Sequence, residues 1–173
     1  MAISLYDASV ASYLQTLGGV ADILAKGEET AAAGDLDLDQ LVRFKLRDDM
    51  LPFSFQVISV WHHSLGAIEG IRAGIFEPPP PFKGMDYQKL KDLVAEAIDG
   101  LDALTREEVD ALADKPMIFR LGPQETPFTA TNFILSFSLP NFYFHATTTY
   151  DVLRMHGVPL GKMDYLGAMR IGA

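Results

Sequence analysis

Four histidines carry most of the chemistry open to this chain: His62 and His63 side by side, His145, and His156. An imidazole titrates near neutral pH, so each could move a proton, accept a hydrogen bond or ligate a divalent metal. His145 lies among the hydroxyls of Tyr143, Thr147 and Thr149, which could build a polar pocket around an acid/base group. The same threonines serve equally as satisfied residues of a buried helix, each hydroxyl bonded back to a carbonyl one turn earlier. Adjacent helical residues point about 100° apart, so at most one of His62 and His63 faces a common interior unless the helix distorts, and their wheel positions do not choose between them. His156 is eleven residues beyond His145. At ~1.5 Å rise per residue it lies roughly 16 Å away and cannot share a mononuclear site with it. Against these functional roles stands a structural one, in which the histidines are core or interface rings bonded to backbone or hydroxyl groups.

Other chemical signatures fail on spacing. Gly157-Val-Pro-Leu-Gly161-Lys162 has one residue too few between its glycines for a phosphate loop, Met163 stands where Ser or Thr should hold magnesium, and a helix precedes it where a strand is required. A tail folded back over the helices and pinned by Lys162, Asp164 and Tyr165 is the simpler reading. There is no Gly-x-Ser-x-Gly elbow and no His-Glu-x-x-His motif, which removes support for standard serine hydrolase and zincin chemistry. Asp48-Asp49 and Glu107-Glu108 read as helix-start charge. The chain has no cysteine, hence no disulfide, thiolate ligand or thiol nucleophile.

The elements that must position these residues are mostly helices. Ser4 with Asp7 opens a first long helix carrying Leu5, Val10, Tyr13, Leu17, Val20 and Leu24, ending at Gly27 or at the latest Gly34. A short connector follows, capped by Asp37 or Asp39. Pro52 starts a second long helix whose apolar residues run from Phe53 to Ile75 and which carries His62 and His63. Pro78 to Pro81 end it as a stiff strap. A third helix starts at Asp86, and Thr105 with Glu108 forms a further capping box. Apolar alternation around Gly122-Pro123 predicts a small β-hairpin over 116–128. The fourth long helix, capped by Thr129 or Thr131, runs to His156 with a kink or interruption at Pro140 and stops at Gly157. It is apolar on two faces, Phe133, Phe137, Phe144 and Met155 against Leu135, Phe142, Ala146 and Leu153, and both need covering.

With 173 residues, 49% of them hydrophobic, the chain reads as a single folded domain over 1–173 with its own core. Fourteen basic against 23 acidic residues leave a net charge of −9, which opposes binding to nucleic acid or to an anionic membrane surface. The first residues lack a basic leader and an apolar signal core, so a cytoplasmic protein is expected. The uncharged stretch from Thr126 to Tyr150 is too rich in Thr, Ser, Asn and Pro for a membrane span.

Three stretches resemble one bacterial family: Ser4-Leu5-Tyr6-Asp7, Asp49-Met50-Leu51-Pro52, and above all Leu139-Pro-Asn-Phe-Tyr-Phe-His145 continuing to His156-Gly-Val-Pro-Leu-Gly-Lys162 and Asp164-Tyr-Leu166. That family is known only as a domain of unknown function and is placed in the DinB/YfiT-like superfamily of metalloenzymes. The resemblance implies an all-α, DinB-like four-helix bundle, here with the small hairpin between helices three and four, and frequent dimerisation. Metal-binding members of the superfamily use one histidine on the second helix and a His-x3-His pair on the fourth. In this chain His145 would open that pair, but position 149 is Thr. Two imidazoles therefore stand where three are wanted, with Glu69, Asp151 or Asp7 as conceivable completions. The expectation is a protein without stoichiometric metal or other cofactor; a divalent ion, if bound, would rest on His145 with His62 or His63. The ligand-pocket candidates are His62, His63, His145 and Thr149. The expected function is a non-catalytic or small-ligand-binding homodimer, and the alternative is a divalent-metal-dependent hydrolase or transferase with its pocket between helices two and four.

Overall fold

The structure, a computed structural model, describes residues 3–172. Helix α1 (Leu5–Ala8) is capped by the Ser4 side chain, which accepts from the Asp7 amide, and α2 (Val10–Ala32) follows after a break at Ser9. The single first helix expected from the spacing is interrupted because Ser9 Oγ donates to the Leu5 carbonyl at 2.6 Å while its backbone leaves the helical region. Gly27 does not end α2. It is a point of close approach, where a Cβ would meet the Tyr87 hydroxyl, and that hydroxyl donates to the Leu24 carbonyl at 2.9 Å. After α3 (Leu38–Arg43), capped by Asp37, Pro52 leads into α4 (Phe53–His62).

The second long helix departs from the expected continuous run. It breaks at His63–Ser64, where Ser64 Oγ bonds back to the Val60 carbonyl at 2.7 Å, and resumes as α5 (Leu65–Ala73). Gly74, at φ +83°, supplies the left-handed residue that stops α5, so Ile75 falls in strand β1 (Ile75–Phe76) rather than on the helix. Beyond the proline strap come α6 (Tyr87–Asp102), capped by Asp86, and α7 (Arg106–Asp110), with the Thr105–Glu108 capping box in place. Strands β2 (Pro116–Leu121) and β3 (Gln124–Thr129) pair antiparallel across the Gly122 turn, Pro116 opposite Thr129 and Leu121 opposite Gln124.

Strand β1 pairs parallel with β2, Ile75 with Ile118 and Phe76 with Phe119, giving a sheet of order β1-β2-β3. The all-α expectation is thereby corrected: the chain is mostly helical with a small three-stranded mixed sheet. Two residues pairing with a strand far along the chain leave no periodic signal of their own.

The fourth long helix is built in three parts: α8 (Ala130–Phe133), capped by Thr129, a π-helical turn over Ile134–Ser138, and α9 (Leu139–Met155). Pro140 has no amide to donate to residue 136, and the wide turn lies immediately before it. The wider turn also shifts the helical wheel. Phe133, Phe142, Ala146 and Leu153 are buried while Leu135, Phe144 and Met155 are exposed, so neither expected face stays intact. Finally α10 (Lys162–Leu166) crosses α2, where Lys26 Nζ meets Asp164 at 2.5 Å. Helices α2, α4, α6 and α9 surround one continuous buried cluster, with α4 against α9 and α6, and α2 against α6 and α9. Among the described residues, no helix is long and apolar enough to cross a membrane.

Candidate functional site

Two distortions meet where α4 faces the fourth helix, and the histidines sit between them. At the end of α4 the His63 amide still bonds the Ser59 carbonyl but its backbone leaves the helical dihedrals, and His62 and His63, although adjacent, both lie against Phe76. From the opposite side the π turn presents Ser138, whose hydroxyl donates to the His63 carbonyl at 2.6 Å and bonds the Tyr13 hydroxyl at 2.8 Å. It also presents Phe137, whose ring lies 5.6 Å from that of His63. Strand β1 closes the third side. Phe76 stacks on His62 at 4.4 Å and lies 5.5 Å from His63, and the next carbonyl, that of Glu77, accepts from His62 Nε2 at 2.8 Å.

His145, on α9, stacks over His63 with ring centroids 5.9 Å apart and planes 13° from parallel. Its Nδ1 donates to Gln56 Oε1 at 2.8 Å, while the amide nitrogen of Gln56 donates to the Leu51 carbonyl. The amide and carbonyl oxygens accept only, so the bonds fix the tautomers of the neutral rings: His62 carries its proton on Nε2 and His145 on Nδ1. His63 differs. It is 8% exposed, and its Nδ1 is buried with no hydrogen-bond partner.

The net effect of the surroundings on each ring favours neutral imidazole. Burial, aided by the neighbouring His62 and His145, pushes His63 down to about 3, and burial lowers His145 to about 4. His62 is also lowered by burial, partly offset by the Glu77 carbonyl. At neutral pH the rings are hydrogen-bonding groups and poor proton carriers.

The sequence-level candidates are thus brought together in part. His62, His63 and His145 cluster. Thr149 lies beneath them, fully buried, with its hydroxyl donating to the His145 carbonyl at 2.9 Å. The conceivable completions go elsewhere: Asp7 pairs with Arg106 at 2.8 Å, Glu69 lines a cleft between α5 and α6, and Asp151 is exposed. His156 packs against Phe44 at 4.4 Å.

A divalent metal fits this donor set poorly. Thr149 directs its hydroxyl proton at a carbonyl, and no carboxylate of the described residues enters the cluster. Among the described residues, no group of three or more His, Asp or Glu is arranged to hold an ion. Clefts between α5 and α6, beneath the proline strap and along α1 are lined by none of the four candidates. Sequence reasoning missed Gln56, Ser138 and Phe76. The first two had a signal, each a polar residue in a mostly apolar helical run, whereas Phe76 had none.

Comparison with known proteins agrees with this geometry at the level of family and fold. Residues 5–166 match a family described as a domain of unknown function, DUF1993. The crystal structure of a DinB family member protein from Shewanella denitrificans superposes with a TM-score of 0.80 at 25% identity, covering 98% of this chain and 95% of that one. No curated protein matches.

Proposed function

Since the chain belongs to the DUF1993 domain-of-unknown-function family and is DinB-like, we propose that it is a single-domain, non-catalytic four-helix bundle that binds a small ligand as a homodimer, its superfamily's three-histidine metal site having been lost. The packing of α2, α4, α6 and α9 around one core supports the bundle. The observation that carries the functional reading is the ligand count: Thr149 stands in the place of the third imidazole with its hydroxyl turned to the His145 carbonyl, and among the described residues no group of three or more His, Asp or Glu is arranged to hold an ion. A catalytic zinc site ordinarily takes three protein ligands, and a neutral hydroxyl lacks the basicity of the missing imidazole. The unpartnered Nδ1 of His63 supports a ligand-binding role over an inert one, because a buried polar nitrogen without a partner favours any small molecule that brings one.

One observation favours the alternative, a divalent-metal-dependent hydrolase or transferase: the ring centroids of His62 and His145 lie within 6 Å of that of His63. Elemental analysis of protein purified without a histidine tag separates the two. Well under one metal per chain is expected. Close to one tightly held zinc, nickel or iron per chain, lost in His145→Ala, would replace this proposal with the metalloenzyme reading.

A further inference from the structure

Away from the histidines, α1 and the start of α2 face α8, the π turn and α9 across a groove of about 980 Å3. Its apolar walls are Leu5, Ala8, Ala113, Leu135 and Leu139. Leu135 is 52% exposed and Tyr143 40%, which leaves a greasy stripe open along the fourth helix. The groove adjoins a second hollow of about 220 Å3 between α2, α9 and α10, and the two share Ser12, Tyr143 and Arg170. The smaller hollow is polar. Thr16 and Tyr165 line it together with the shared Ser12 and Tyr143, a set of four hydroxyls.

Charge distinguishes the two ends. The carboxylates bordering the groove are already used: both oxygens of Asp7 are held by Arg106 at 2.8 Å, and Asp110 accepts from the Tyr6 amide at 2.8 Å. Arg170 reaches only the Ser12 hydroxyl, at 3.5 Å, and forms no ion pair among the described residues. In a chain of net charge −9, an arginine with no carboxylate partner among the described residues, set among hydroxyls where an apolar groove meets a polar hollow, is a complement to an anion that carries a hydrocarbon chain.

We propose that the joined groove binds a single-chain amphiphile with an anionic head, of the fatty-acid type. The carboxylate lies against Arg170, Ser12 and Tyr143, and the chain runs over Leu139 and Leu135 toward Ala113 and Leu5. From Tyr143 to Leu135 is two helical turns, roughly 12 Å, enough to cover most of a dodecanoate chain. This site shares no residue with the histidine centre, so the two readings fail independently.

Titration calorimetry with dodecanoate below its micellar concentration tests it. Saturable binding of one dodecanoate per chain is expected, tightening about threefold to fourfold for each methylene added from decanoate upward. Dodecyltrimethylammonium should not bind. Arg170→Ala should weaken dodecanoate at least about tenfold, with Arg170→Lys recovering part of that, and the surface change Leu135→Asp should abolish binding. Failure to bind dodecanoate, equal binding of the cationic analogue, or indifference to both substitutions would overturn the proposal. So would association only with phosphatidylglycerol vesicles, or a Leu135→Asp change that merely dissociates a dimer whose native form never took dodecanoate.

Discussion

His63 pays for its place in the core with an unmatched nitrogen, and that makes its contribution to stability negative under neutral conditions. Replacing a buried, unpartnered polar group by an apolar one of similar size removes a desolvation cost of about 1–3 kcal/mol. His63→Leu is therefore expected to raise the urea midpoint at pH 7, by an amount worth about 1 kcal/mol after the lost ring contacts with His145 and Phe137 are deducted. The same variant should flatten the acid limb. An unfolded imidazole takes up its proton near pH 6.5, whereas His63 and His145 resist until about 3 and about 4. Their depressed values place full stability above pH 6.5 and drain it as pH falls through 4 and 3, at up to about 1.4 kcal/mol per pH unit for each ring. Urea titrations between pH 7 and 4 measure this, and a pH-independent native protein would contradict the buried, neutral cluster. The cluster was half legible from the sequence. Helical arithmetic separated His156 from His145, but it could not choose between His62 and His63, because the answer lies in a helix break that a hydroxyl on another element helps to hold.

At the scale of elements, helix beginnings and the interruption beside Pro140 were readable, whereas the break at His63–Ser64 was not. Ser4, Asp37, Asp86 and Thr105 cap within their own first turn, so each signal and its effect lie three residues apart. The break at Ser64 and the π turn at Ile134–Ser138 instead face each other across the core, joined through Ser138 and the His63 carbonyl, a contact between distant parts of the chain. Gly27 taught a similar lesson, since it looked like a terminator and proved to be a packing notch. Gly27→Ala should destabilise by about 1–3 kcal/mol, because the new methyl overlaps the Tyr87 hydroxyl and displaces its bond to Leu24. In a Tyr87→Phe background the overlap shrinks, and the cost of the alanine should fall. A double-mutant cycle by urea unfolding reads the coupling directly, and additive effects would show that the contact is not what holds α2 to α6.

For the whole molecule, the outward side of α9 is the part least accounted for by one chain. Phe144 and Met155 are 56% and 55% exposed and three helical turns apart on one stripe, away from the groove at Leu135 and Tyr143. Sedimentation equilibrium at micromolar concentration should give the mass of two chains, and Phe144→Glu that of one; a native species of one chain would withdraw the dimer. The two-residue strand β1 has a consequence for motion within each chain. Its pairing with β2, including the Ile118 amide bonded to the Gly74 carbonyl at 3.0 Å, closes a loop that contains the proline strap, α6 and α7. So short a clasp is the cheapest part of the sheet to undo, and undoing it would also withdraw Phe76 and the Glu77 carbonyl from His62. Deuterium uptake at the Ile118 amide should thus run ahead of that across the β2–β3 ladder, making this one backbone proton a clock for how often the histidines meet water.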